Sequence, residues 1–239
     1  MIPWLDTGDP FPSVREALRE PNGLLAAGAD LDINRVLAAY SRGIFPWFSQ
    51  DDPVLWWSPD PRMVLFTSEF RWHRSLRQSL ARARRVGLEV RLDKAFSQTV
   101  ASCAAPRPGQ AGTWITESMR ACYTALHRLG LAHSVEVWRD DDLIGGLYGV
   151  ALGRMYFGES MFSRASDASK IALAMLVRVL QEEAVPVIDC QQHTAHLAFF
   201  GARDIPRDAF CKHVEEATQL DPVTWGRYGG VNLLERFDS

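Results

Sequence analysis

The sequence predicts an α+β fold in which helices flank a mixed β-sheet, and three neighbouring features of the chain support this prediction. Residues 145–157 contain two short apolar runs punctuated by glycines, which is the pattern of paired strands. Residues 166–183 follow with an apolar helical face and with Ser166 and Asp167 as candidate N-caps. A third apolar run at residues 185–188 completes a strand, helix and strand unit, whose outer strands run parallel through a right-handed crossover.

Polar side chains occupy the carboxyl ends of these two parallel strands. Residues 158–160 end the first strand and residues 189–191 end the second, and ligands of such sheets usually bind beyond these ends. Because side chains alternate along a strand, we expect Asp189 and Gln191 to share one face and Cys190 to take the other. A carboxylate beside a primary amide is suited to hold and deprotonate an amine nucleophile, whereas a strand-end aspartate that caps the next turn is the simpler alternative.

Length, composition and charge are those of a folded soluble protein. The 239 residues are 47% hydrophobic and 23% charged, which excludes an intrinsically disordered chain. The net charge of -3 means that any nucleic-acid contact depends on local basic patches. Four widely spaced cysteines in a chain of this size favour reduced thiols. The chain has neither a leader-like start nor an apolar run near the length of a membrane span, so we expect a cytoplasmic protein with no membrane partner. It also has no heptads or obvious exposed apolar stripe, so we expect a monomer.

Composition changes along the chain and predicts two domains. Residues 1–62 are dense in Pro, Gly, Asp and aromatic side chains, which predicts a small loop-rich N-terminal domain. Residues 63–239 form the predicted catalytic domain, which contains both strand ends. Its last stretch, residues 228–239, is rich in glycine and polar side chains, and we expect this C-terminal tail to be poorly ordered.

Tryptophans with turn-forming neighbours are candidates for ring stacking. Trp47 lies in GIFPWF beside a proline, so a surface that stacks on a base or ring competes with a core role. Trp114 lies in a polar loop before the next helix, in a comparable setting. For Trp56 and Trp57, in WWSPDPR, a place in a small core and exposure for stacking are equally supported.

A basic face is predicted on a helix that spans residues 70–86. At ~100° per residue its apolar side chains share one face, and four arginines gather within about 80° on the opposite face, namely Arg71, Arg74, Arg82 and Arg85. No carboxylate lies between Arg71 and Arg85 to pair with them. We therefore expect contacts to a phosphate backbone, with a solvated arginine face as the alternative.

Other chemistries fit this sequence less well. Cys190, His193 and His196 have the spacing of a thiol nucleophile with a histidine base, or of a C-x2-H-x2-H metal site, yet Cys190 should face packing and no second ligand pair has a matching spacing. We expect no metal. The order of strands and helices suggests an N-acetyltransferase-like (GNAT-type) fold, but the pyrophosphate loop of acyl-CoA users and other glycine-rich phosphate loops are absent, so we expect no cofactor.

A set of short motifs in fixed order resembles leucyl/phenylalanyl-tRNA–protein transferases. The motifs span residues 19–191 and are REPNGLLAAG, RGIFPWFS, WWSPDPR, GTWIT, AHSVEVW, GGLYG, GESMFS, ASK and IDCQ. Each motif alone is a weak signal, whereas the ordered set is specific and covers most of the chain. The resemblance implies an enzyme that moves Leu or Phe, with Met as a further candidate, from aminoacyl-tRNA to the N-terminal Arg or Lys of a protein, which marks the product for degradation.

The resemblance also implies roles for particular residues. Asp189 and Gln191 match the catalytic pair, in which Gln191 contacts the attacking amine and Asp189 polarises it or relays its proton. Trp47, Trp114 and Glu159 match positions that hold the terminal aminoacyl-adenosine. Five apolar residues match the pocket for the donor side chain, namely Leu147, Met161, Leu173, Leu176 and Ile188. A thioether side chain in that pocket suits both Leu and Phe because it is adaptable.

Two other classes of function compete with this interpretation. An acyl-CoA-dependent N-acyltransferase would use the same fold, but the missing pyrophosphate loop argues against it. A non-catalytic tRNA-binding or degradation-adaptor protein would use the arginines and tryptophans, but it would leave Asp189 and Gln191 without a role.

Overall fold

The computed structural model describes residues 2–106 and 113–238. Its strands are β1 (Trp4–Leu5), β2 (Leu24–Gly28), β3 (Phe45–Pro46), β4 (Leu55–Trp57), β5 (Arg62–Phe66), β6 (Glu89–Leu92), β7 (Ala132–Arg139), β8 (Asp142–Leu152), β9 (Met155–Ser163), β10 (Val187–Gln191) and β11 (Arg203–Ile205). Its α-helices are α1 (Ile33–Tyr40), α2 (Arg74–Arg85), α3 (Phe96–Ala104), α4 (Glu117–Arg128), α5 (Ala168–Glu182), α6 (Ala195–Phe199), α7 (Arg207–Thr218) and α8 (Leu233–Arg236). Among the described helices, none has the length and apolar character needed to cross a membrane.

Within the described residues the strands form one sheet of four and one of seven. The order is β1-β2-β4-β3 in the smaller sheet and β11-β5-β10-β9-β8-β7-β6 in the larger one. In the larger sheet β10 pairs parallel with β9 and antiparallel with β5, and the pairs from β9 to β6 are antiparallel. The mixed sheet with its helices confirms the predicted α+β class, whereas the GNAT-type assignment and the domain boundary after residue 62 stay predictions.

The predicted strand, helix and strand unit is formed by β9, α5 and β10. Most of α5 is buried because it packs against β7, β8 and α2. The parallel pairing of β9 with β10 covers only residues 155–157 and 187–189. Because β9 continues to Ser163 without pairing to β10, the sheet leaves a gap beyond the paired ends at Phe157 and Asp189.

Both adjacent tryptophans of β4 belong to the core. Trp56 is fully buried, and its Nε1 donates a hydrogen bond to the Gly28 carbonyl at 3.0 Å. Trp57 is also buried, and its Nε1 donates to the Trp47 carbonyl at 2.7 Å. Of the two roles considered for this pair, the structure supports the core role.

The basic helix starts later than predicted. Its first residue is Arg74, so the prediction that Arg71 belongs to the helix was wrong. The rings of Phe70 and Trp72 pack edge to face with centroids 4.8 Å apart, and the Arg71 N–H donates to the Phe200 carbonyl at 2.9 Å. The hydrogen bond to Phe200 ties the segment before the helix to the end of α6.

The C-terminal tail is folded, so the prediction that it is poorly ordered was wrong for its described residues. Leu233 and Leu234 of α8 are fully buried. The Asn232 side chain accepts a hydrogen bond from the Val90 N–H at 3.0 Å, and Tyr228 is fully buried. Burial of these apolar side chains outweighs the local preference of glycine and polar residues for an open chain.

Candidate active site

A cavity of about 710 Å³ lies at the carboxyl ends of β9 and β10. The five predicted pocket side chains all line it, contributed by β8, β9, α5 and β10, namely Leu147, Met161, Leu173, Leu176 and Ile188. Asp189, Gln191 and Glu159 line the same cavity. The structure therefore brings together an apolar wall and a small polar group, which is the usual composition of a small-molecule site.

β-Bulges redirect the side chains at both strand ends. Glu159 is an extra residue of β9 opposite Tyr148 and Gly149 of β8, where the pairing register shifts. Cys190 is an extra residue of β10 in its pairing with β5, and Gln191 follows with a φ of 60°. Strict alternation ends at these positions. Asp189, Cys190 and Gln191 all line the same cavity, so the prediction that Cys190 takes the opposite face was wrong.

Asp189 is fully buried and ion-paired. Its carboxylate accepts hydrogen bonds from Arg62 Nε at 2.8 Å and from Arg62 Nη2 at 2.7 Å. Its Oδ1 also accepts from the Gln191 backbone N–H at 2.8 Å. The Arg62 guanidinium lies over the rings of Phe45 and Phe210, 4.6 and 4.5 Å from their centroids. Asp189 therefore fixes the backbone of Gln191 and joins β5, β3 and α7 to the strand end.

Glu159 is held by neutral groups. Tyr40 donates to Oε1 at 2.7 Å, Tyr123 donates to Oε2 at 2.6 Å, and the Gln191 side-chain amide donates to Oε1 at 2.9 Å. Desolvation raises the pKa of the Glu159 carboxyl to about 7, against the opposing effect of the two phenolic hydrogen bonds. Desolvation also raises the pKa of both phenols, so they remain protonated donors. The site thus contains a carboxyl group able to change protonation state near neutral pH.

A second cavity of about 780 Å³ adjoins the first. Trp47 and Trp114 line it, and Ser160 lines both cavities. Trp47 is 37% exposed, and its ring meets the ring of Trp57 edge to face with centroids 5.4 Å apart. The two predicted stacking tryptophans therefore share this second cavity, which we call the tryptophan cavity. The first cavity, lined by the leucines and Ile188, is called the apolar cavity. Gly112 of the GTWIT motif lies outside the described residues.

The predicted basic face lies on the surface, separate from both cavities. All four arginines are exposed, namely Arg71, Arg74, Arg82 and Arg85. Arg82 Nη2 donates to Asp167 Oδ2 at 3.1 Å, so this arginine has an acidic partner from the loop before α5. That partner was invisible to the local sequence pattern because 85 positions separate the two residues.

Cys190, His193 and His196 contact different partners and do not form the alternative site considered from the sequence. Cys190 Sγ lies 3.8 Å from the Ile188 carbonyl, and desolvation raises the pKa of its thiol, which disfavours the reactive thiolate. His193 is exposed, with Nδ1 3.1 Å from an Asp204 carboxylate oxygen. His196 lines the apolar cavity, and desolvation lowers its pKa.

Among the described residues, Asp93, His127 and His133 bring possible metal-ligand atoms within 4.8 Å of one another. His133 Nδ1 is 2.7 Å from the Asp93 carboxylate, and its Nε2 is 3.0 Å from the Gly130 carbonyl. His127 Nδ1 is 2.8 Å from the Ala132 carbonyl. Because these ring nitrogens already face protein acceptors, the cluster is better described as a hydrogen-bonded support for the β6 to β7 region than as a cation site.

Three buried side chains of the site were not predicted from the sequence. Arg62 begins the apolar strand β5, and a charge in that position was the available signal that a buried carboxylate lies opposite. Tyr40 and Tyr123 lie on separate helices, 119 and 36 positions from Glu159. No local pattern connects them, because their contact with Glu159 exists only in the folded chain.

Solved structures of similar shape are distant from this chain. The C-terminal domain (DUF2156) of a putative lysylphosphatidylglycerol synthetase from Agrobacterium fabrum aligns with a TM-score of 0.40 at 11% identity, covering 69% of this chain and 54% of that chain. This likeness carries no argument about the site.

Sequence relatives are much closer. A leucyl/phenylalanyl-tRNA–protein transferase from Bordetella avium is 54% identical over 230 residues, covering 94% of this chain and 92% of that protein. One from Nitrosospira multiformis is 56% identical over 216 residues, covering 90% and 92%. The family model for leucyl/phenylalanyl-tRNA protein transferase matches residues 64–215, and the model for its N-terminal domain matches residues 29–60. The chain therefore belongs to the leucyl/phenylalanyl-tRNA–protein transferase family.

Proposed function

We propose that the protein transfers leucine or phenylalanine from aminoacyl-tRNA to the N-terminal amine of proteins that begin with Arg or Lys. Family membership supports the reaction class. The observation that carries the proposal is that the apolar cavity and the tryptophan cavity meet at Ser160, beside the polar strand ends. A donor that combines an apolar side chain with a terminal adenosine needs two such cavities side by side. The added bulky residue marks the product for degradation.

The apolar cavity takes the donor side chain. Its leucine and isoleucine walls favour an apolar group, and burial of a Leu or Phe side chain contributes about 1.5–3 kcal/mol. Met161 adapts the cavity to either shape because its side chain is unbranched and polarisable. Leu173 and Leu176 come from the buried helix α5, so the opposite wall is rigid.

The tryptophan cavity takes the terminal adenosine of the tRNA. Stacking of a base on an aromatic side chain contributes about 1–3 kcal/mol, and both Trp47 and Trp114 are available for it. Glu159 lines the apolar cavity next to Ser160, which lines both cavities, and it contacts the amino acid that the adenosine carries. The exposed arginines contact the phosphate backbone farther along the tRNA, namely Arg71, Arg74, Arg82 and Arg85.

Gln191 contacts the attacking amine, and Asp189 positions Gln191. Because the Gln191 side-chain N–H donates to Glu159 at 2.9 Å, its amide oxygen remains to accept a hydrogen bond from the amine. Asp189 holds the Gln191 backbone, while Arg62 holds the Asp189 carboxylate in a buried ion pair. An aminoacyl ester is already activated, so correct placement of the amine supplies a large share of the rate.

The proposed function is tested by transfer of labelled leucine from charged tRNA to two proteins that differ only in an N-terminal Arg or Ala. We expect label on the Arg protein alone. A lysine-initiated third protein should also be labelled, since the proposed acceptor class is basic. Absence of label on every acceptor, with tRNA still bound, would overturn the proposal in favour of a non-catalytic tRNA-binding protein.

The same proposal extends to the architecture. Residues 1–62 act as a small N-terminal domain and residues 63–239 as a GNAT-type catalytic domain. Separate family models for residues 29–60 and 64–215 support the division, and the parallel β9–β10 pair inside a mixed sheet supports the GNAT-type arrangement.

A further inference from the structure

The hydrogen bonds that hold the Glu159 carboxyl group in the described part of the chain come from neutral groups. Tyr40 and Tyr123 donate at 2.7 and 2.6 Å, and the Gln191 amide donates at 2.9 Å. Glu159 lines the apolar cavity, and the residue as a whole is 9% exposed. A carboxylate at such a place lacks the ion pair that normally compensates its burial, so the surroundings favour its neutral form.

While Glu159 is ionised, the two phenols and the carboxylate have one proton fewer than they need to make all their mutual contacts hydrogen bonds. The Tyr40 and Tyr123 oxygens are 3.0 Å apart, so the two phenols and the carboxylate make three mutual contacts. Two phenolic protons can occupy only two of these three contacts. One proton added to Glu159 closes a ring, in which the carboxyl group donates to one phenol, that phenol to the other, and the second phenol back to the carboxyl group.

Asp189 has the opposite arrangement. Its carboxylate already accepts two hydrogen bonds from the Arg62 guanidinium and one from the Gln191 backbone. The side chains of this ion pair are 1% and 0% exposed, so the carboxylate is the buried counter-charge of the Arg62 guanidinium. Asp189 therefore has a charged partner that holds it in place, whereas the hydrogen-bond partners of Glu159 are neutral.

We propose that Glu159 is a catalytic residue that accepts the proton lost by the attacking amine. This inference rests on the proposed function above. The N-terminal ammonium, held by the Gln191 amide oxygen, gives one proton to the Glu159 carboxylate. The neutral amine forms the C–N bond to the ester carbonyl carbon, the bond from that carbon to the ribose oxygen breaks, and the ribose oxygen takes the second amine proton. Glu159 then returns its proton to water.

The test compares two nucleophiles on the same charged tRNA in single-turnover reactions near neutral pH. A peptide with N-terminal Arg must lose a proton before attack, whereas hydroxylamine is uncharged and needs no such step. We expect Glu159→Gln to slow peptide transfer by roughly 10² and to slow the hydroxylamine reaction, measured above the uncatalysed rate, far less. Asp189→Asn should slow both reactions by a similar factor, because it disturbs the placement of Gln191.

Tyr40→Phe and Tyr123→Phe give a second test of the proposal. Both tyrosines are positioning residues, because they act through Glu159. Each variant removes a hydrogen bond that lowers the Glu159 pKa, so the pH at which peptide transfer rises should move upward. An unshifted pH profile in both would overturn the proposal, as would equal slowing of both nucleophiles by Glu159→Gln. If the unmodified protein transfers leucine to neither nucleophile, the proposed function itself is wrong, which is a separate outcome.

Discussion

Asp189 and Glu159 are two buried carboxyl groups where the parallel pairing of β9 with β10 ends, and their surroundings differ in charge. Asp189 faces a guanidinium that forms two hydrogen bonds with it, whereas Glu159 faces two phenols and an amide. The guanidinium compensates the buried charge of Asp189, whereas the neutral partners of Glu159 allow its carboxyl group to take up and release a proton. The position of a carboxylate at a strand end therefore does not settle its role, because the role depends on the charge of its partners.

The largest effect is expected from removal of the Arg62 charge. Arg62→Ala leaves the fully buried Asp189 without its counter-charge, and loss of one partner of a buried pair costs about 3–5 kcal/mol. The free energy of unfolding from denaturant titration measures this loss. Arg62→Lys should cost less, because the charge stays but the two-bond geometry is lost.

Arg203 provides a matched control for this prediction. It also forms two hydrogen bonds to one carboxylate, that of Glu69, but both side chains are about half exposed, at 50% and 47%. Arg203→Ala should therefore cost less than about 1 kcal/mol. Equal losses at Arg62 and Arg203 would contradict the assignment of a structural ion pair to the strand end.

The second prediction uses the pH dependence of stability. Desolvation raises the pKa of both Glu136 and Glu159 to about 7, from an ordinary value of 4.5. Because the folded protein holds these protons more tightly than the unfolded chain, each carboxyl group stabilises the fold at low pH, and this contribution is lost as the pH rises toward 7. Loss of each contribution should lower the free energy of unfolding by on the order of 2–3 kcal/mol as the pH rises across that window.

The two glutamates also separate stability from catalysis. Denaturant titrations from about pH 5 to about pH 7 should show a shallower slope for Glu136→Gln and for Glu159→Gln than for the unmodified protein. Only Glu159→Gln should change the pH dependence of leucine transfer, since Glu136 binds backbone and serine groups outside the cavity. A changed pH dependence of leucine transfer in Glu136→Gln would contradict the proposal that Glu159 accepts the proton of the amine.

Two leucines on α5 distinguish a pocket defect from a chemical one. Leu176 lines the apolar cavity, and Leu180, one turn later, is fully buried behind it. Each change to Ala should cost about 2–5 kcal/mol of stability. Only Leu176→Ala should also lower kcat/KM for the leucyl donor, by roughly tenfold, because it removes the contact proposed with the leucyl side chain of the donor. Steady-state kinetics with equal losses in both variants would contradict the pocket assignment.

The smallest effect is expected on the exposed basic face. Arg74→Glu and Arg85→Glu should weaken binding of all tRNAs alike and reduce the slope of log affinity against log salt by about one for each phosphate that is no longer neutralised. Arg82→Glu is a less clean change, because Arg82 already pairs with Asp167. Arg128→Glu, an exposed change on α4, is the control and should leave the salt slope unchanged. An unchanged salt slope in Arg74→Glu and Arg85→Glu would show that these arginines face solvent and do not contact the tRNA phosphates.

The elements that sequence patterns predicted well are those governed by local rules. The apolar periodicity of α5 and the apolar run of β10 are sufficient to identify the strand, helix and strand unit. The same rules place Asp189 and Gln191 at a strand end, and the structure finds them there. The five predicted pocket residues also line a single cavity.

The parts that sequence patterns could not predict depend on contacts between distant positions. Arg62 and Asp189 are 127 residues apart, so the charge at the start of an apolar strand indicates a buried partner but does not identify it as Asp189. The bulge at Glu159 turns its side chain toward Tyr40, although strict strand alternation cannot foresee an inserted residue. The error at the C-terminal tail has the same cause, because Leu234 is ordered by core packing that composition does not record.

The most direct test of the central claim, that the polar strand ends form the transfer site, is single-turnover leucine transfer by Gln191→Ala with tRNA affinity measured on the same samples. The variant should lose transfer by roughly 10² or more while its affinity for charged tRNA stays unchanged, because the role proposed for Gln191 is contact with the amine and not with the tRNA backbone. Near-normal transfer by this variant would show that the reaction takes place elsewhere on the molecule.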